Sequence, residues 1–262
     1  MKMGTEKNRA IIGKDLEALQ QLILVAKEVL DKPETRALER TLRYFAVCLA
    51  NSSVAVATLC GDGFGADALK ISRSMFENYI TFRYLLLRPK ELNDFLGFDA
   101  VARYKRLECY KAKFPRMYSM FSAEKIKAVS ENYDSVKKKF SSRNGKVRKS
   151  WCRHTLAEMA RIVDRAEMYE IFYRHASSVL HVDPMGLAML IDGATLEIQP
   201  GPTARHIGVA MRMATLVFLG TLSEYSKLIV ADHAEVFKRI DGLIGGAIET
   251  EGSVLGSLSD AF

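Results

Sequence analysis

The sequence predicts an all-α protein: an antiparallel bundle of eight or nine helices, with at most one short strand or hairpin near residues 187–199. Three observations carry that prediction. Apolar residues recur at three- and four-residue steps through most of the chain. Prolines and one glycine-rich run fall between the periodic segments, where helices stop. Alternation suited to a strand appears only weakly, at Thr195 to Gln199.

Residues 7–31 set Ile11, Leu16, Leu19, Leu22, Ile23, Val25, Val29 and Leu30 at helical spacing, and Pro33 stops the helix. A second helix is expected from about Glu34 to Cys60, with Leu38, Leu42, Phe45, Leu49, Val56 and Leu59 on one broad face. Gly61-Asp62-Gly63-Phe64-Gly65 reads as a turn. It is not a phosphate loop, because no GxxxxGK[ST] follows. A third helix spans about Ala66 to Leu87, before Pro89, and a fourth about Glu91 to Lys113, before Pro115. The fifth occupies Ala123 to Phe140. Residues 141–150, SSRNGKVRKS, read as a basic flexible loop.

Thr155 with Glu158 three residues on reads as a capping box, opening a helix to about Val163. Another runs from about Ala166 to His181 and stops before Asp183-Pro184. The last two cover about Thr203 to Val230 and His233 to Leu243, and 245–262 reads as a flexible C-terminal tail. One helical domain over 1–244 is expected, with helix 7–31 able to pack as an arm.

Composition narrows the function classes. Hydrophobic residues are 48% of the 262, enough for a sizeable core, and the 26% charged content argues against disorder of the whole chain. Cys48, Cys60, Cys109 and Cys152 form no CxxC pair and lack zinc spacing, so they read as reduced thiols. There is no Glu-x-x-His pair for a di-metal bundle and no GxSxG elbow. No metal and no cofactor is expected. The N-terminus turns charged at once, without the apolar stretch of a leader. The most apolar windows, Phe45 to Cys60 and Ile207 to Leu222, are interrupted by Asn51, Ser52 and Ser53 and by Arg212, short of a membrane span. A cytoplasmic protein with no membrane partner is the expectation.

Net charge is +7. Lys137, Lys138, Lys139, Arg143, Lys146, Arg148 and Lys149 lie in one stretch without an acidic residue, and their seven charges equal the net charge of the chain. Such a run meets phosphates by releasing counterions, or else is a solvated loop.

The helix at 166–181 carries an unusual polar set: Tyr173, Arg174, His175, Ser177, Ser178 and His181. Spacings of three, four and seven put Arg174, Ser177, Ser178 and His181 on one stripe. Arginine forks phosphate oxygens and histidine trades protons near neutral pH, the two capabilities that metal-free RNA cleavage needs. A second stripe, on the third helix, runs Lys70, Arg73, Glu77, Thr81, Tyr84 and Arg88. Arg73 and Glu77 are an i,i+4 pair, catalytic or simply structural. If the two helices pack together, Glu77 is placed to orient His181 or to pair with Arg174. The bland alternative for His181 is a contact with the carbonyls ending its own helix. A metal set of Glu77, His175 and His181 is disfavoured, because six residues put the two histidines roughly 240° apart around a helix.

Two segments carry a resemblance. Arg73-Ser74-Met75-Phe76-Glu77-Asn78, with Ala68-Leu69-Lys70 before it, and Tyr173-Arg174-His175-Ala176-Ser177-Ser178-Val179-Leu180-His181 resemble a widespread, uncharacterised family of bacterial helical proteins, a domain of unknown function. That family pairs an Arg-Ser-x-x-Glu helix with a later Tyr-x-x-x-Ser-x-x-x-His helix. The likeness extends loosely over residues 35–230. The second segment is also similar to the Arg-x4-6-His motif of HEPN domains, with His175 in the polar position after the arginine. The HEPN resemblance implies a helical bundle, a homodimer, and a metal-independent ribonuclease of toxin–antitoxin or phage-defence systems. Arg174 and His181 would be catalytic, supported by Tyr173, His175, Ser177, Ser178, Arg73 and Glu77. RNA, and a protein partner or antitoxin, are the partners implied. The alternative is a non-enzymatic helical module that binds a protein or nucleic acid.

Overall fold

The computed structural model describes residues 6–142, 144–181, 183–184, 186, 202–231 and 233–245. These wind into α1 (Glu6–Leu30), α2 (Ala37–Asp62), α3 (Gly65–Leu87), α4 (Leu92–Lys113), α5 (Pro115–Tyr118), α6 (Ala123–Phe140), α7 (Leu156–Ile162), α8 (Ala166–Met168), α9 (Arg174–His181), α10 (Ile207–Leu228) and α11 (Ala234–Leu243). A π turn, Tyr169–Tyr173, joins α8 to α9. The all-α class is therefore observed. Among the described residues there is no strand; the extended pairings are isolated bridges, Phe64 with Thr203 and Ser141 with Val147. The strand expected near 187–199 and the tail beyond Gly245 lie outside the described residues.

The helices form two compact units, Met1–Leu87 with Leu156–Phe262, and Arg88–Thr155. The larger unit is built around α10, which packs against α1, α2 and α3. Its residues from Met213 to Leu219 are buried without a break, as befits a helix that is apolar all round. By length and composition α2 and α10 are both apolar enough to cross a membrane, but 72% of the α10 window is buried inside this unit. Arg212, the charge that interrupts that window, is held by Asp15 of α1 (Nε to Oδ1, 2.9 Å) and also donates to the carbonyl of Ile244. Burial raises the Asp15 carboxyl, against the pull of Arg212. Helix α1 packs against α2, α10 and α11.

Local chemistry sets the helix ends. Glu39 accepts from the backbone N–H groups of Thr35 and Arg36, both at 3.0 Å, and from the Arg36 guanidinium, satisfying donors at the start of α2. The Arg36 contact and those N–H groups hold its carboxyl at about 2. At the other end Gly63 takes φ 88° and donates to the carbonyl of Cys60, closing α2. Gly65 starts α3 where a Cβ would lie 2.0 Å from the carbonyl oxygen of Arg205, so only glycine fits. Ser72 then ties α3 to α10 through the carbonyl of Ala210, at 2.8 Å.

In the smaller unit α4 packs on α6. Phe98 meets Phe140 (5.3 Å between ring centroids) and Tyr104 stacks on Tyr133 (3.9 Å), so the pairs run in opposite order along the two helices, which are antiparallel. The basic stretch expected as a flexible loop folds back after α6. Ser142 donates to the carbonyl of Lys146 and Arg148 to that of Phe140, both at 2.9 Å, with Gly145 at φ 73° in the turn. Lys105 of α4 secures it by donating to the carbonyl of Arg148, at 2.7 Å.

Candidate functional site

Helices α3 and α9 meet through a closed polar ring. Arg73 of α3 is 15% exposed; its Nε donates to Ser177 Oγ (2.8 Å) and its Nη2 to the Tyr173 hydroxyl (2.6 Å). Tyr173 donates in turn to Glu77 Oε1 (2.7 Å), which lies 3.1 Å from Arg73 Nη2. Ser177 donates back to the Tyr173 carbonyl, at 2.7 Å. The guanidinium also sits 4.5 Å from the centroid of the Tyr173 ring, a cation–π contact. Tyr169 stacks on that ring from one turn earlier (4.9 Å), and Phe76 lies 5.9 Å from it. Burial, reinforced by the bond to Glu77, pushes the Tyr173 phenol up to about 12. It stays protonated at neutral pH and serves as a donor, not as a base.

The two polar helices named from the sequence therefore do meet, but the register differs from the expectation. Glu77 is taken by Arg73 and Tyr173. Arg174 is 67% exposed and pairs with Glu170 of the π turn just before α9 (2.6 Å), and His181 is exposed. The stripe of Arg174, Ser177, Ser178 and His181 spans about 100° of helix surface. Only its Ser177 edge turns toward α3, Ser178 is half-buried, and Arg174 and His181 face outward. The residue carried in excess by the π turn lies just before this segment and sets its rotation.

His175, expected to support the site, is 3% exposed and packs edge-on against His206, with ring centroids 5.4 Å apart. Burial lowers both imidazoles, and it takes His206, beside His175, to about 4, so that ring is neutral at pH 7. His206 sits at φ 63° just before α10. No spacing in the sequence links it to His175, because the pairing is made by the fold. A metal set of Glu77, His175 and His181 does not assemble: one is engaged, one buried and one exposed.

The basic run also looks different in three dimensions. Lys137 pairs with Asp134 (2.7 Å), while Lys139 (2.5 Å) and Arg148 (3.3 Å) share Asp94. Two acids, Asp134 one turn earlier on α6 and Asp94 on α4, thus pair with three of the seven cations. Lys138, Lys146 and Lys149 are exposed, with no ion pair among the described residues; Arg143 lies outside them.

In this all-helical chain, an Arg-Ser-x-x-Glu helix is thus clasped by a later Tyr-x-x-x-Ser helix. The chain belongs to DUF5677, a family of unknown function, whose model matches residues 41–196. No curated protein and no solved structure matches the chain.

Proposed function

We propose that this protein acts on RNA as a metal-independent, HEPN-like ribonuclease, with Arg174 and His181 as its working pair. The observation that carries the reading is that both side chains are exposed on the outer face of α9, seven residues apart. Seven residues are two helical turns, a rise of roughly 10 Å, which two long side chains can bridge onto one phosphate. The ring behind them fixes the roll of α9 against α3 and so keeps the pair facing outward. Arg174 would exchange Glu170 for a phosphate oxygen and stabilise the charge growing on phosphorus. His181 would take the proton of the ribose 2′-hydroxyl. The 2′-oxygen then bonds phosphorus, the bond from phosphorus to the 5′-oxygen breaks, and that oxygen takes a proton from solvent or imidazolium. The products are a 2′,3′-cyclic phosphate and a 5′-hydroxyl.

Labelled RNA incubated in EDTA with wild type and with Arg174→Ala/His181→Ala tests this. Both positions are exposed, so the variant keeps its melting temperature, and cleavage should fall by about 10²-fold or more. Wild type that leaves several RNAs intact, or a variant that cuts equally well, sinks the proposal. One observation favours a second reading, a non-enzymatic helical module. Arg73, Glu77, Tyr173 and Ser177 satisfy one another, which is the chemistry of a structural clasp.

A further inference from the structure

The smaller unit carries all of the chain's excess positive charge. Residues 88–155 hold 18 Lys and Arg against 7 Asp and Glu, a net +11, while the other 194 residues hold 20 against 24, a net −4. Between α4 and α6 this unit opens a cleft of about 260 Å³. Leu107, 6% exposed, lines its buried side. Tyr110 and Phe121 form an aromatic wall, with near-parallel rings whose centroids are 5.9 Å apart. Arg103, Arg106 and Lys125 also line it, and none of its lining side chains is acidic. Arg103 is held by Asp99 (2.5 Å) and Lys125 lies over the Phe121 ring (5.6 Å). Arg106 is exposed, with no ion pair among the described residues.

Cations beside an aromatic wall suit a ligand with a flat body and an anionic group, as an unpaired nucleotide has. The cleft is smaller than the pockets that enclose drug-sized molecules, a size that suits a single base. A net +11 over one small unit is matched by a polyanion rather than by one small anion. A duplex keeps its bases stacked inside and cannot present one, whereas a single strand can.

We propose that the α4–α6 cleft binds single-stranded RNA, seating one base against Tyr110 and Phe121 with the flanking phosphates on Arg106 and Lys125. The choice of RNA over DNA rests on the ribonuclease reading; the strand site does not. The test is fluorescence anisotropy of the full-length chain with a labelled uridine 12-mer, in a His181→Ala background so that no strand is consumed. Each phosphate contact to a single strand contributes about 0.7 to the slope of log K against log salt. Arg106→Gln/Lys125→Gln should therefore lower that slope by about 1.4 and weaken binding roughly 25-fold at 0.1 M salt. Tyr110→Leu keeps an apolar side chain but removes the stacking ring, and should weaken binding about tenfold at an unchanged slope.

Unchanged affinity and slope in Arg106→Gln/Lys125→Gln would overturn the site. So would equal affinity for a duplex, or binding to phosphatidylserine vesicles but not to the strand. Loss of binding only in Lys138→Gln/Lys146→Gln/Lys149→Gln would move the strand to the turn after α6, and also overturns it. Cleavage by wild type beside unchanged binding by the cleft variant refutes the cleft alone. Cleft-dependent binding without cleavage refutes the catalytic reading alone.

Discussion

Replacing His206 by Asn should make the protein less sensitive to acid. Asn tolerates the left-handed backbone that His206 adopts at φ 63°, so the exchange removes a titrating ring without imposing a new strain. In the folded chain the imidazole titrates at about 4, because burial and the neighbouring His175 disfavour its cation. In the unfolded chain it titrates near its ordinary 6.5. The unfolded state therefore takes up the proton first. Stability from this group is complete above pH 6.5, declines as pH falls through that value, and stops declining below about 4. Linkage with those two values gives a loss of about 2 kcal/mol by pH 5 and about 3 kcal/mol once titration is complete. His175 acts in the same direction. Urea denaturation at pH 8 and pH 5, on wild type and His206→Asn, measures the difference directly. Wild type should lose about 2 kcal/mol more than the variant over that interval. Parallel losses in the two proteins would refute the buried neutral histidine.

Tyr173→Phe deletes the hydroxyl that accepts from Arg73 and donates to Glu77, while leaving the ring and the Arg73–Glu77 pair in place. It should lower stability by about 1–3 kcal/mol in a urea melt, and a change under about 0.3 kcal/mol would mean that the clasp does not hold α9. Gly65→Ala puts a methyl group 2.0 Å from the Arg205 carbonyl oxygen, where backbone on both sides must move. A loss of at least about 3 kcal/mol, or insoluble protein, is expected; a variant that melts like wild type would refute the close approach.

Much of the fold was legible because helix periodicity and helix breakers are local. The limits of α6, Ala123 and Phe140, fall where the pattern of the sequence puts them, and the ends of α3 and α4 follow from Pro89 and Pro115. Helix α10 starts at Ile207, later than its apolar pattern suggests, because Thr203 is bridged to Phe64 and His206 turns left-handed. Pairings between remote segments were beyond reach. Arg73 and Tyr173 are both recognisable as polar residues on apolar helices, but they are 100 residues apart, and periodicity reports which face is buried, not what it is buried against. The same limit hid the pairing of His175 with His206 and the contacts of Lys139 and Arg148 with Asp94.

The π turn bears on how relatives of this chain are to be aligned. It holds one residue more than an α-helical turn, so residues on either side of Tyr169–Tyr173 follow helical wheels of different phase. A relative lacking the extra residue would carry its tyrosine and serine about 100° around the helix, away from the arginine that clasps them here. The clasp thus depends on the phase that the π turn imposes as well as on the identities of Tyr173 and Ser177.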